Sequence, residues 1–231
     1  MKKTNEPAPL KGHAGYLSPR YAKGQRTADA LLESGRRLLR SRPLESMSIQ
    51  DLCAQAEVTT GAFYGRFRSK EAFFTALQAL AVQDIREATR QRIAELESGE
   101  WSLEDAVGTL ARNIRLWVLR HEGVLRATLL QHRGAAAGWA PFRRMTHDFV
   151  EALVPLVAGL LGGGRAGAQE RGLRIRFGFQ MMVGTIVNAA INNPGPLSLS
   201  DPRMDEELTQ ALCLYLRAQT VRTDHARPRS R

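Results

Sequence analysis

Apolar residues return at helical spacing along almost the whole of this chain, and nowhere do they alternate convincingly with a period of two. From Gly24 onward, Ala28, Leu31, Leu32, Gly35, Leu38 and Leu39 fall on one stripe while Arg36, Arg37 and Arg40 fall on other faces, and Pro43 ends the pattern. A second helix of only about eight residues is expected from Ile49, with Ser48 and Asp51 as its capping box and Ile49, Leu52, Cys53 and Ala56 as its apolar side. Glu57 and Val58 then make a turn, Thr59 caps a further short helix from Thr60 to about Phe67, and Ser69 caps a long one that begins at Lys70 and runs nearly thirty residues.

The remainder reads as helices with short breaks. One opens at Ser102 and ends at Gly123, and a shorter one covers Val124 to about Arg133. A Gly- and Ala-rich loop leads to Trp139, another helix runs from Pro141 to Gly162, and the last two span about Ala168 to Asn192 and Asp205 to about Gln219. The expected fold class is all-α with about nine helices: an N-terminal three-helix unit, residues 24–70, followed by a bundle of about six helices over residues 71–219. Residues 1–23 read as a disordered basic arm and residues 220–231 as a basic disordered tail with Arg222, Arg227, Arg229 and Arg231.

Charge sharpens that division. Residues 1–70 hold 13 Lys or Arg against 6 Asp or Glu, whereas residues 71–216 hold 15 against 16, so the net +10 of the chain resides at its ends. A near-neutral body behind a basic front predicts a polyanionic partner for the front, nucleic acid before membrane. The stretch VTTGAFYGRFRSK, residues 58–70, explains how it would be met. Each glycine there costs roughly 0.8–1 kcal/mol in a helix interior, so local stability does not account for the composition. Two short helices joined by a tight turn, with one helix before and a long one after, form a helix-turn-helix. Its second short helix enters the major groove by its N-terminal end. Small residues there, Thr59, Thr60, Gly61 and Ala62, let the backbone approach DNA; Phe63 and Phe67 bury behind; Tyr64, Arg66 and Lys70 are placed for phosphates.

At these residues, and over about residues 24–75, the sequence resembles the TetR family of bacterial transcriptional repressors, whose signature VTTGAFYGRFRSKEAFF is similar to. The resemblance implies a DNA-binding regulator that represses at a palindromic operator in double-stranded DNA, with Thr59, Thr60, Gly61, Tyr64 and Lys70 on the DNA and Arg26, Thr27 and Ser48 on its backbone. Two positions depart from the family pattern. Glu57 stands where a turn glycine is usual, so either the turn differs or Glu57 is left-handed at a cost of roughly 1–2 kcal/mol. Gly65 stands where a larger side chain is usual.

The resemblance further implies a homodimer built on the last two helices. Residues 168–192 are apolar nearly all round, so both faces must be covered. Phe179, Met182, Ile186 and Ala190, together with Leu208, Leu212 and Tyr215, are the expected interface. It also implies a small hydrophobic or aromatic effector in the body, with Trp117, Met145, Phe149, Phe177 and Met181 as walls and Asn113, His121, Gln180 and Asn188 as polar groups. A regulator of the same kind without an effector, acting through protein partners, is the alternative.

Other classes find little support. The chain lacks a Glu-x-x-His pair, a Cys/His cluster, a Gly-x-Ser-x-Gly and a phosphate loop, so neither catalysis nor a metal or cofactor is expected. Cys53 and Cys213 read as reduced core residues, and the N-terminal residues hold no apolar signal segment; both point to the cytoplasm. The uncharged run 177–200 contains Gln180, Asn188, Asn192, Asn193 and two prolines, which fits a buried helix and loop better than a membrane span.

Overall fold

A computed structural model describes residues 10, 12–131, 139–162 and 167–218. Among them are eight α-helices: α1 (Ala22–Ser41), α2 (Ile49–Gln55), α3 (Thr60–Tyr64), α4 (Lys70–Ser98), α5 (Leu103–Gln131), α6 (Ala140–Leu161), α7 (Ala168–Asn192) and α8 (Arg203–Arg217), with one 3-10 turn at Leu44–Ser46. The all-α class stands, and the only extended pairing among these residues is an isolated bridge between Tyr16 and Phe67. None of the described helices is long and apolar enough to cross a membrane.

Helices α1 to α3 and the start of α4 enclose one apolar core, in which Leu31, Leu52, Phe63, Phe67 and Phe73 are fully buried. Helices α4 to α8 enclose a second, around Val107, Leu110, Leu153, Phe179 and Ile186. Helix α5 belongs to both: it touches α1, α4, α6, α7 and α8, and its Val124 and Ala127 lie in the first core. A buried fork ties it to α8, for Arg115 donates from Nε and Nη2 to the two carboxylate oxygens of Asp205 (2.6 and 2.7 Å) and from Nη1 to Leu199 O (2.8 Å). Two parallel charge-assisted bonds of this kind are stronger than neutral ones and fix orientation.

The bundle behind the first unit has five described helices instead of about six, because α5 runs unbroken through Gly123. That glycine is not a stop signal. A Cβ placed on it would overlap the carbonyl of Leu39, so its absence is what lets α5 lie against the backbone of α1.

The expected disordered arm is also corrected for the residues described. Leu10 and Tyr16 are buried in the first core, and Gly15 has φ +78° at a point where a side chain would overlap Ala72. Polar composition with Gly and Pro suggested disorder, but two apolar anchors and a backbone pairing suffice to dock the segment. Residues 1–9, 11 and the tail from residue 219 lie outside the described residues.

Candidate nucleic-acid interface

Local side-chain chemistry sets the helix-turn-helix. Ser48 accepts from Asp51 N–H (3.0 Å) while the Asp51 carboxylate accepts from Ser48 N–H (2.9 Å) and hydroxyl (2.8 Å), a complete capping box. These bonds hold the Asp51 carboxyl below its usual range. They also occupy the Ser48 hydroxyl, leaving it exposed but engaged. Glu57 has φ +55°, so the turn keeps the left-handed geometry with a glutamate in the glycine position. The N–H groups on either side are satisfied, Glu57 N on Ala54 O and Val58 N on Cys53 O.

Thr59 then caps α3 by accepting from Ala62 N–H at 3.2 Å. Helix α3 is short because Gly65 caps it, and the residues to Phe67 continue only as a turn. Its inner side is fixed by aromatic packing: Phe63 to Phe67 (5.5 Å between centroids), Phe67 to Phe73 (5.0 Å, edge to face) and Phe63 to Phe73 (5.7 Å). Thr59, Thr60 and Gly61 are exposed, Ala62 is half-buried, and Tyr64 is 54% exposed, turning its edge to Phe63. Nothing in the fold requires Gly61, since a Cβ there would meet only Thr59 Oγ1 at 3.8 Å. Gly65, with helical φ −68°, would likewise tolerate a Cβ at ordinary distances.

Two residues expected on phosphates are turned inward. Lys70 Nζ donates to the carbonyls of Leu44 (2.9 Å), Met47 (2.9 Å) and Glu45 (3.4 Å), stapling the start of α4 to the connection between α1 and α2. Arg66 donates to Gly24 O (3.1 Å) and Gly65 O (2.7 Å) and so joins the end of α3 to the start of α1. A sequence pattern records a cation near a groove but not the carbonyls that a tertiary contact brings to it. Arg26 is exposed, and Thr27 donates to Lys23 O within its own helix. All six cations of the described stretches 12–30 and 58–70, Arg20, Lys23, Arg26, Arg66, Arg68 and Lys70, lack a carboxylate partner, whereas ten arginines elsewhere, among them Arg36, Arg115 and Arg176, form ion pairs. With Arg66 and Lys70 turned inward, it is the exposed Arg20, Lys23, Arg26 and Arg68 that present positive charge without a carboxylate partner, in the same unit as the small, exposed groups at the start of α3.

In the body, Trp117, Met145 and Phe149 do converge, with Trp139, Phe142, Ile85, Ile114 and Val183, on a narrow apolar cavity of about 40 Å³. The Trp117 indole N–H is taken by Ala81 O (3.0 Å), and Thr146 is the polar side chain that remains in the lining. Asn113 is half-buried and outside this lining. His121 is buried with its ring 5.4 Å from Trp117, but it faces a separate cleft between α1, α4 and α5. There its Nε2 lies 3.2 Å from Asp84 Oδ2, off the line needed for a hydrogen bond.

Along α7 the two expected faces exchange places. Phe179, Met182, Ile186 and Ala190 are buried inside the chain's own core, as is Leu212 of α8, while Leu208 and Tyr215 are partly covered. Phe177, Gln180, Met181 and Asn188, expected at an effector, are exposed together with Leu173 and, on α8, Leu214. A helix that is apolar all round carries no periodic sign of which side points inward. Among the described residues no group of His, Cys, Asp or Glu is placed to hold a metal ion.

Residues 31–77 match the family model described as bacterial regulatory proteins, tetR family. The HTH-type transcriptional repressor NemR of Escherichia coli (strain K12) is 38% identical over 82 residues, which are 35% of this chain and 39% of that protein; the chain thus matches about two fifths of that relative's length. Among solved structures, a transcriptional regulator from Mesorhizobium loti superposes with TM-score 0.63 at 14% identity, over 85% of this chain and 98% of that one. A regulator from Aquifex aeolicus VF5 superposes with TM-score 0.57 at 16% identity, over 81% and 98%. At such identities the structures speak for the fold, and the sequence likeness rests on residues 31–77 and on the 82 residues matched to NemR.

Proposed function

We propose that this chain, whose DNA-binding unit belongs to the TetR family of bacterial regulatory proteins, is a transcriptional repressor that binds a palindromic operator as a two-fold dimer. The observation that carries the reading is the N-terminal end of α3. Thr59, Thr60, Gly61 and Tyr64 stand exposed on a rigid aromatic base, and the fold itself does not need Gly61. A bare helix start of this kind suits a groove, and the surrounding unpaired cations suit phosphates, with Arg26 and Thr27 at the start of α1 as backbone contacts. The exposed side of α7, Leu173, Phe177 and Met181, is the surface that a second copy would cover, and it would set two α3 helices about 34–36 Å apart on the duplex.

The experiment is selection of binding duplexes from random DNA, followed by gel shift and footprinting. A two-fold symmetric site, lost on Tyr64→Ala, is the expected result; a chain that retains no duplex, or a Tyr64→Ala variant that binds as before, overturns the reading.

The cavity between Trp117, Phe142, Met145 and Phe149 is the place for an effector, which would be small, apolar and uncharged. Its modest volume also favours a second reading, in which the body is a filled core and control comes from a protein partner. Trp117 and Trp139 line the cavity, so titration of apolar compounds followed by tryptophan fluorescence separates the two: a quenched signal with weakened operator binding supports an effector, and a flat signal with unaltered binding supports the filled core.

A further inference from the structure

Residues 12–21 lie ahead of the stretch that matches the family model, yet they are built into the DNA-facing unit. Leu17 N–H donates to Arg66 O (2.8 Å) and Arg68 N–H donates to Gly15 O (3.0 Å), an antiparallel pairing beside the end of α3. Between these bonds Tyr16 is buried against Phe67, with ring centroids 5.5 Å apart. Burial, and then the nearby Asp29 carboxylate, pushes the Tyr16 hydroxyl above its usual pKa. At its far end the segment enters α1, where Gly24 O accepts from Arg66 Nε. The residues that follow α3 therefore hold this strap at both ends, and Arg20 and Tyr21 stand at a fixed place next to them.

The outward side of the strap has no use within the chain. Tyr21 is 80% exposed, the most exposed of the large apolar side chains described. Among the described residues, no hydrogen bond or ion pair engages the Tyr21 hydroxyl, the Arg20 guanidinium or the Lys23 ammonium. The sequence from residue 7 to residue 28 contains no Asp or Glu, and the first turn of α1 carries no acidic residue. Like charges beside an exposed ring repel one another in the isolated chain and contribute nothing to folding; they fit a partner that brings anionic oxygens and apolar sugar faces together. Arg, Lys and Tyr are side chains that contact the phosphates and sugars of a duplex.

We infer that residues 17–23 form a second DNA-contacting element, in which Arg20, Tyr21 and Lys23 hold backbone phosphates flanking the stretch that α3 reads. The inference rests on the DNA-binding reading above and extends it to residues outside the matched family domain. Contacts of this kind add affinity and salt dependence without choosing a sequence. The strap thus lengthens the protected DNA on each half-site and leaves the preferred sequence as α3 sets it.

The test uses the full chain, a duplex recovered by selection with the wild type, and a shuffled duplex of the same length, titrated by fluorescence anisotropy over a range of salt. Arg20→Ala is expected to lower affinity for both duplexes by about five- to tenfold and to reduce the slope of log K against log salt by about 0.9, the value for one lost phosphate contact. Tyr21→Ala is expected to weaken both duplexes alike with the slope retained. Both variants keep the wild-type melting temperature, since neither side chain has a partner to lose. Wild-type affinity and slope in both variants, or a lowered melting temperature with an unaltered slope, would mean a strap that only supports the fold, and would overturn the inference. Tyr64→Ala serves as the reference. If it abolishes binding while the strap variants are silent, the inference alone fails; if it too is silent, the DNA-binding reading fails with it.

Discussion

Gly123 and Leu39 bring the backbones of α5 and α1 into direct contact, and that contact joins the body of the protein to its N-terminal three-helix unit. Arg36 Nη1, bonded to Arg120 O at 2.9 Å, closes the same seam from the side of α1. Any movement of α5 is therefore passed to α1 without an intervening flexible side chain. Gly123→Ala should separate the two helices: overpacking costs about 1–3 kcal/mol, against which the better helix former returns up to about 1 kcal/mol. A lowered melting temperature together with weakened operator binding is expected in thermal melts and gel shifts; an unchanged melt would mean that the seam yields freely.

How much of this was legible in the sequence depended on where the cause of each feature lay. Ser48, Thr59 and Ser69 were readable as caps because a cap is satisfied within three residues of itself. The left-handed turn at Glu57 was readable as one of two possibilities for the same reason. Gly123 was misread as a break because its purpose is Leu39, more than eighty positions away. Residues 12–21 were misread because their anchors, Phe67 and Arg66, lie about fifty positions further along the chain. The Arg115 to Asp205 fork left no mark at all, since a buried arginine in a helix looks like any surface arginine until its carboxylate is in place.

Lys70 illustrates the same limit and yields a prediction. Its ammonium is spent on three carbonyls, so Lys70→Met should act on stability, taking the side-chain donor from Glu45 O and Met47 O and leaving Leu44 O with only its backbone bond from Met47 N–H. Loss of charge-assisted bonds of this type costs roughly 3 kcal/mol in all, which is on the order of 10 °C for a chain of this size. Measured where both proteins are folded, the salt slope of DNA binding should stay as in the wild type; a slope lower by about 0.9 would return Lys70 to the phosphates.

Gly61→Ala should separate stability from function in opposite directions. The new methyl group meets nothing closer than Thr59 Oγ1 at 3.8 Å, and alanine stabilises a helix by up to about 1 kcal/mol relative to glycine. The melting temperature is expected to rise while operator affinity falls, because the same methyl group stands where the groove must close on the backbone. A variant that is both more stable and equally tight would show that Gly61 does not face DNA.

Glu33 supplies a pH dependence with a definite sign. Hydrogen bonds from Arg36 lower its pKa from 4.5 to about 2, with Arg37 adding to the effect. A folded-state pKa below the unfolded value means stability that is present above about pH 4.5 and lost as pH falls through about 2. The side chain is more than a third exposed, so solvent screens the pair and the effect is modest. Glu33→Gln should flatten the stability curve in that acid window; because Glu33 also aligns Arg36 for Arg120 O, operator affinity should fall slightly at neutral pH.

The two faces of α7 can be told apart by a pair of substitutions. Phe179 is fully buried in the body core and Phe177 is 45% exposed, its ring 6.0 Å from that of Tyr215. Phe179→Ala removes a packed aromatic and should cost about 3–5 kcal/mol, enough to threaten the fold of a marginally stable domain. Phe177→Glu places a charge on the surface proposed for the second copy and leaves the core intact. Sedimentation at micromolar concentration should then find a folded monomer with near-wild-type circular dichroism. Its operator affinity should collapse further than any single phosphate contact explains, because a monomer offers one α3 to a two-fold site. A Phe177→Glu protein that stays dimeric would place the interface elsewhere, and the exposed row Leu173, Phe177 and Met181 would then need another partner.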